Sequence, residues 1–160
     1  MKSKNLREII VFLDNIRSVY NVGAIFRTAD AFGVSKIILS GITPMPIDRF
    51  GKPRTDFAKS ALGAEKTVMW SYSKSIIPAL KKLKAEGFYI ISIEQDKKSI
   101  DYRKLKLKGK SIIVFGNEID GISTKILKIS DTIVEIPMRG MKESLNVSVT
   151  AGIILSRLIT

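Results

Sequence analysis

The sequence predicts an α/β protein with a mostly parallel sheet flanked by helices. Short β-branched runs such as "KIILS" (36–40) and "SIIVF" (111–115) alternate with stretches whose apolar residues recur at helical spacing, the pattern of βα units on a parallel sheet. Three loops rich in Gly or Pro follow three of the strand-like runs. The chain of 160 residues has the length of one ordinary domain, and no repeat, low-complexity tract or linker divides it. A chain of this size buries roughly 70% of its unfolded surface, enough for a core without disulfides.

The elements follow in order. "IIVFL" (9–13) reads as a strand, and 22–32 as a helix with Val22, Ile25, Phe26, Ala29 and Phe32 on one face. "KIILS" is the next strand. Residues 41–56 form a polar loop holding three of the five prolines, and a short helix covers 57–62. "TVMW" (67–70) reads as a strand, 74–86 as a helix ending at Gly87, and "FYIISI" (88–93) as a strand. A basic stretch leads to "SIIVF", then a Gly-bounded loop and a short helix near 123–128. "TIVEI" (132–136) is the last clear strand. The final segment, "LNVSVTAGIIL", is open on its residues alone. Leu145, Val147 and Val149 alternate as a strand does, whereas Ile154, Leu155, Leu158 and Ile159 continue at helical spacing after Ser144, a good N-cap.

Composition removes several chemistries. The chain has no cysteine and no histidine, so disulfides, thiolate zinc sites, imidazole bases and the Ser-His-Asp arrangement are excluded; no metal site is expected. No run approaches the roughly 18 apolar residues of a membrane helix, and the apolar run near the start is too short for a signal peptide. The expectation is a soluble, cytoplasmic protein without a membrane partner. A formal net charge of +12 points to a polyanionic partner, nucleic acid first.

Three stretches carry candidate chemistry. "NVGAIFRTADAFG" (21–33) places Arg27 among small residues, with Asn21 at its start. Taken alone, Asn21 is a candidate N-cap, Arg27 a partner for Asp30 on a solvated face, and Gly23 and Ala24 leave room for a planar group beside the guanidinium. "FGNEIDGIS" (115–123) sets Gly116 and Gly121 around Asn117, Glu118 and Asp120. It is neither a GxGxxG nor a Walker loop, and taken alone it reads more readily as a plain Gly-rich turn with Asp120 starting the next helix. "IPMRGMKESLN" (136–146) ends on Ser144 and Asn146, a hydroxyl and an amide at the loop exit.

In this order the three stretches resemble the signature motifs of the SpoU/TrmH branch of the SPOUT RNA methyltransferases, and "SALGAEKTV" (60–68) is similar to a stretch common there. The resemblance runs from about residue 9 to the end. It implies a SPOUT fold whose C-terminal part forms a deep trefoil knot, a topology otherwise nearly absent from proteins, with the final segment helical from Ser144. It also implies a homodimer that binds S-adenosylmethionine and methylates a ribose 2′-hydroxyl in tRNA or rRNA. By the same resemblance Asn21, Arg27, Glu118, Ser144 and Asn146 match active-site positions, and Gly116, Ile136 and Leu145 match positions lining the cofactor. Many relatives carry an RNA-binding extension. With residues 1–160 forming one methyltransferase domain, no such extension is expected, and RNA selection would fall to the surface or to a protein partner. The alternative function is a non-catalytic RNA-binding protein on the same fold.

Without histidine, Arg27 is expected to stay charged. It would grip an RNA phosphate bidentately, while Ser144 and Asn146 orient the ribose and Glu118 positions Arg27 or its loop. Two basic stretches could track phosphates: residues 97–110, with seven Lys/Arg against one Asp, and 49–59, with Arg49, Lys52, Arg54 and Lys59. Tyr102 and Phe50 within them are candidate base-stacking side chains.

Overall fold

The computed structural model describes residues 7–159, with the backbone alone at 158 and 159. The positively charged start at 1–6 and the side chains of Leu158 and Ile159 lie outside the described residues. The elements are β1 (Glu8–Asp14), α1 (Val19–Ala31), β2 (Lys36–Ser40), α2 (Thr55–Ala61), α3 (Ala64–Thr67), β3 (Trp70–Ser73), α4 (Ile76–Ala85), β4 (Tyr89–Ile93), β5 (Ile100–Asp101), β6 (Lys110–Phe115), α5 (Thr124–Ile129), β7 (Thr132–Glu135) and α6 (Val147–Leu155). Short 3₁₀ segments cover Tyr102–Lys104 and Ser156–Ile159.

Among the described residues the strands form one seven-stranded sheet in the order β3-β2-β1-β6-β4-β7-β5, with every pairing parallel. Parallel neighbours require crossovers, which is why helices separate most of the strands. Both faces are covered. Ile9, Val11, Leu13, Ile37, Leu39, Ile113 and Phe115 face the layer holding α1, α2, α3 and α6. Ile10, Phe12, Ile38, Ile90, Ile112 and Val114 face α4 and α5, against Leu80 and Ile126. Full burial of each such side chain contributes about 1.5–3 kcal/mol, so the central strands β1 and β6 anchor both layers.

The order and type of the predicted elements agree with this architecture, with local corrections. Residues 64–67 are helical, and the strand expected at 67–70 begins only at Trp70. Gly63 takes a left-handed φ of +93° and the Glu65 carboxylate accepts its N–H at 3.0 Å, which starts a helical turn that propensity alone does not reveal. The open final segment is helical, but α6 starts at Val147 rather than at Ser144. Asn146 is the cap, its Oδ1 accepting the Ser148 N–H at 2.8 Å. Ser18, not Asn21, caps α1, and Ser123, not Asp120, caps α5.

Gly23 also has a different use from the one expected. It is buried where α1 crosses α2, and a Cβ there would lie 1.9 Å from Ser60 Oγ and 2.9 Å from the Phe57 carbonyl oxygen. The small residue serves helix packing, beside an edge-to-face contact of Phe26 and Phe57 at 5.1 Å between ring centres. Gly23→Ala should lower stability by about 1–3 kcal/mol in urea unfolding, because the core cannot absorb an extra methyl without shifting α2. Adding Ser60→Gly should recover only part of that loss, since the Phe57 carbonyl remains. An unchanged unfolding midpoint in Gly23→Ala would contradict this packing.

Candidate active site

Ligands of open α/β sheets collect beyond the carboxyl ends of the strands. A cavity of about 730 Å³ lies there, at the exits of β4, β6 and β7 and the start of α6. Ile93, Phe115, Ile136 and Leu145 supply apolar wall, and Asn117, Ser144 and Asn146 supply polar groups. Four glutamates line it, Glu94, Glu118, Glu135 and Glu143, and no Lys or Arg does. On a chain of net charge +12, that makes the cavity an acidic recess in a basic protein.

The loops around the cavity are tied to one another by side chains. Glu118 reaches across to the start of α1, where its carboxylate accepts the N–H groups of Arg17 (3.0 Å to Oε2) and Ser18 (3.3 Å to Oε1). Asn21, one turn into α1, places its Nδ2 3.5 Å from Glu118 Oε1 and accepts at Oδ1 from Asn146 Nδ2 at 3.2 Å. One run of contacts therefore joins the loop after β6, the first helix and the cap of the last helix. Asn21, Glu118, Ser144 and Asn146, all expected at a site, line the same cavity with Gly116, Ile136 and Leu145.

Arg27 stands apart. It is exposed on α1, six residues or about 9 Å of helix rise beyond Asn21, and it does not line the cavity. The expected partner Asp30 is engaged elsewhere, accepting from the Thr67 hydroxyl at 2.7 Å. Gly116 is small for a local reason: a Cβ would lie 2.7 Å from the Gly121 carbonyl oxygen, across the closure of its own loop.

Sequence reasoning missed three organising residues. Asn15, with a φ of +53°, accepts at its carbonyl from Asn117 Nδ2 (2.8 Å) and at Oδ1 from the Ile42 N–H (3.1 Å), joining the exits of β1, β2 and β6. Glu94 accepts the Ile122 N–H at 2.8 Å, and Gln95 donates to the Glu143 carbonyl at 2.6 Å, so the exit of β4 braces both flanking loops. The available signal was position: polar residues immediately after strand ends, among them an Asn suited to positive φ.

Burial works against the Glu118 carboxylate, but the N–H donors of Arg17, Glu118 itself and Ser18, with Asn21, outweigh it and hold the carboxyl below its ordinary 4.5. A carboxyl depressed in the folded state adds stability above its unfolded pKa and loses it as pH falls through the folded value. The stability gap between wild type and Glu118→Gln should therefore be steady from neutral pH down to about 4.5 and shrink below it. A gap that widens on acidification would contradict the contact. Among the described residues, no group of three or more Asp or Glu is placed to hold a metal ion, and no helix is long and apolar enough to cross a membrane.

Comparison with known proteins identifies the family and the fold. Residues 8–156 match the SpoU rRNA Methylase family. The chain is 34% identical over 152 residues to a tRNA (guanosine(18)-2′-O)-methyltransferase of Aquifex aeolicus, covering 95% of this chain and 69% of that protein. It is 36% identical over 155 residues to a 23S rRNA (guanosine-2′-O-)-methyltransferase of Neisseria meningitidis, covering 96% of this chain but 59% of that one. The fold superposes on the A. aeolicus TrmH/SpoU tRNA modifying enzyme with a TM-score of 0.83 at 33% identity, over 95% of this chain and 74% of the other. An AdoMet-bound rRNA methyltransferase from Sinorhizobium meliloti gives 0.84 at 27% identity, over 94% of this chain and 55% of the other. With its strand order, its cavity and its three motifs gathered at one sheet edge, the chain belongs to the SpoU family of RNA 2′-O-methyltransferases.

Proposed function

We propose that this chain methylates a ribose 2′-hydroxyl of tRNA or rRNA, with S-adenosylmethionine as methyl donor. The observation that carries the reading is the acidic, part-apolar cavity set in a strongly basic protein. The donor set fits the cofactor: apolar wall suits the flat adenine, amides and hydroxyls suit ribose, and carboxylates suit a molecule bearing a sulfonium cation. That group supplies an activated methyl when bound. Gly116, Ile136 and Leu145 would hold it, largely through backbone and apolar contact.

The chain's own part is positioning. Asn21, Glu118 and Asn146 form the connected rim of the cavity, and Ser144 offers a hydroxyl there. Their role is to fix the ribose in line and keep water away from it. Arg27, exposed and cationic, lies outside the cavity, so its long side chain would grip the phosphate next to that ribose and, through it, stabilise the alkoxide charge that develops as the ribose proton leaves to a phosphate oxygen or to water. The reading extends to the knotted C-terminal threading and the homodimer that the family resemblance implies. Met141 and Ile119, 99% and 73% exposed on the loops beside the cavity, support an assembly that covers them.

The test is transfer of labelled methyl into unmodified tRNA and 23S rRNA offered separately, substrates suggested by the names of the relatives. Label should appear on a ribose 2′-oxygen. Arg27→Ala should lower single-turnover transfer by about 10²–10³-fold, the range for a lost charge-stabilising donor. Arg27→Lys should also lose most of the rate, because an ammonium cannot reproduce a bidentate grip. Near-full activity in the Lys variant would contradict the clamp. Binding of RNA with no transfer to either pool, and no uptake of the cofactor, would favour the non-catalytic RNA-binding protein.

A further inference from the structure

The loop between β2 and α2 leaves the sheet at the same edge as the cavity and ends in a tight, hydrogen-bonded tip. The Asp48 carboxylate accepts the N–H groups of Phe50 (2.8 Å) and Lys52 (2.9 Å), and the Asp48 N–H donates to the Lys52 carbonyl at 2.8 Å. Ile47 and Pro53 form an antiparallel bridge, and Gly51 turns the chain with a φ of +78°. All of this holds Phe50 out in solvent, 73% exposed, with the Arg49 guanidinium 4.7 Å over its ring. Presenting an apolar ring this way costs hydrophobic free energy, and the ordered tip holds it in place before any partner arrives.

We propose that Phe50, backed by Arg49, is a stacking platform for an unpaired base of the RNA substrate. The inference rests on the reading above, in that its ligand is RNA, and it adds a positioning residue outside the cavity. Charge supports that occupant. Arg49 and Lys52 are exposed on the tip beside the ring and are suited to phosphates, whereas Arg54 is spent on a bidentate pair with Asp56 at 2.7 and 3.0 Å. The other aromatic in a basic stretch, Tyr102, packs against the core and offers no such free ring. Asn15 couples the tip's loop to the site: the Gly41–Ile42 turn sits on its side chain, while its carbonyl holds Asn117 of the cavity. An aromatic ring suits a base because every base has a π-face, and an arginine beside it adds a cation–π contribution.

The experiment measures binding of a fluorescein-labelled, unmodified tRNA transcript and of a short single-stranded RNA to wild type, Phe50→Leu, Phe50→Trp and Arg49→Gln across a salt series. Phe50→Leu keeps apolar volume but loses the π-face, and should weaken binding roughly 5- to 100-fold at every salt concentration, with an unchanged salt slope. Phe50→Trp should bind at least as tightly as wild type. Arg49→Gln should lower the salt slope by about 0.7–0.9, one phosphate contact. Cofactor binding should stay at the wild-type level in all of them. Wild-type affinity in Phe50→Leu would overturn the proposal, and so would a lowered sedimentation mass in that variant, which would assign the tip to a contact between copies. Wild type that binds RNA through Phe50 yet transfers no methyl would leave the platform standing and sink the catalytic reading. Wild type that binds neither RNA would overturn both.

Discussion

The site depends on one carboxylate. Glu118 extends from the loop after β6 and accepts the Arg17 and Ser18 N–H groups at the start of α1. Those amides lie at the positive end of the helix, where an anion is favoured and unpaired donors would otherwise face solvent. Through Asn21 the contact continues to Asn146, which caps α6. Segments separated by about a hundred residues in sequence are thereby held around one cavity by side chains whose partners are mostly backbone groups or caps. The geometry is thus fixed by the same bonds that terminate the helices, and the site and the fold share their stabilising interactions.

Charge is distributed in a way that suits two unlike ligands. The chain as a whole is basic, and the recess is lined by four glutamates with no lysine or arginine. A polyanion is drawn to the surface and has little reason to enter the recess, whereas a partly apolar cation is at home inside it. Arg27 and the tip of the β2–α2 loop belong to the outer zone; Asn21, Glu118 and Ser144 belong to the rim. Such separation lets a cofactor and a nucleic acid approach the same sheet edge from different sides of one electrostatic boundary.

Much of this was legible in the sequence. The apolar runs of β1, β2, β4 and β6 are short, β-branched and buried, so pattern alone located them. Three motifs read as unremarkable capping or turn residues one at a time, and only their order, through the family resemblance, marked them as one site. What pattern did not reveal has physical causes. The turn at Ala64–Thr67 depends on the left-handed Gly63 and its Glu65 contact, not on helix propensity. The role of Gly23 lies in a helix crossing with α2, more than thirty residues away in sequence. Asn15, Glu94 and Gln95 act by bracing neighbouring loops, which periodicity does not report.

The central claim is that the loops after β4, β6 and β7 form a preassembled cofactor pocket at the carboxyl edge of the sheet. Amide hydrogen exchange on the full chain, with and without saturating S-adenosylmethionine and no RNA, tests it directly. The account predicts slowed exchange confined to the amides around residues 93–95, 115–122 and 135–147. Protection at another edge of the sheet, or none at all on addition of the cofactor, would contradict it.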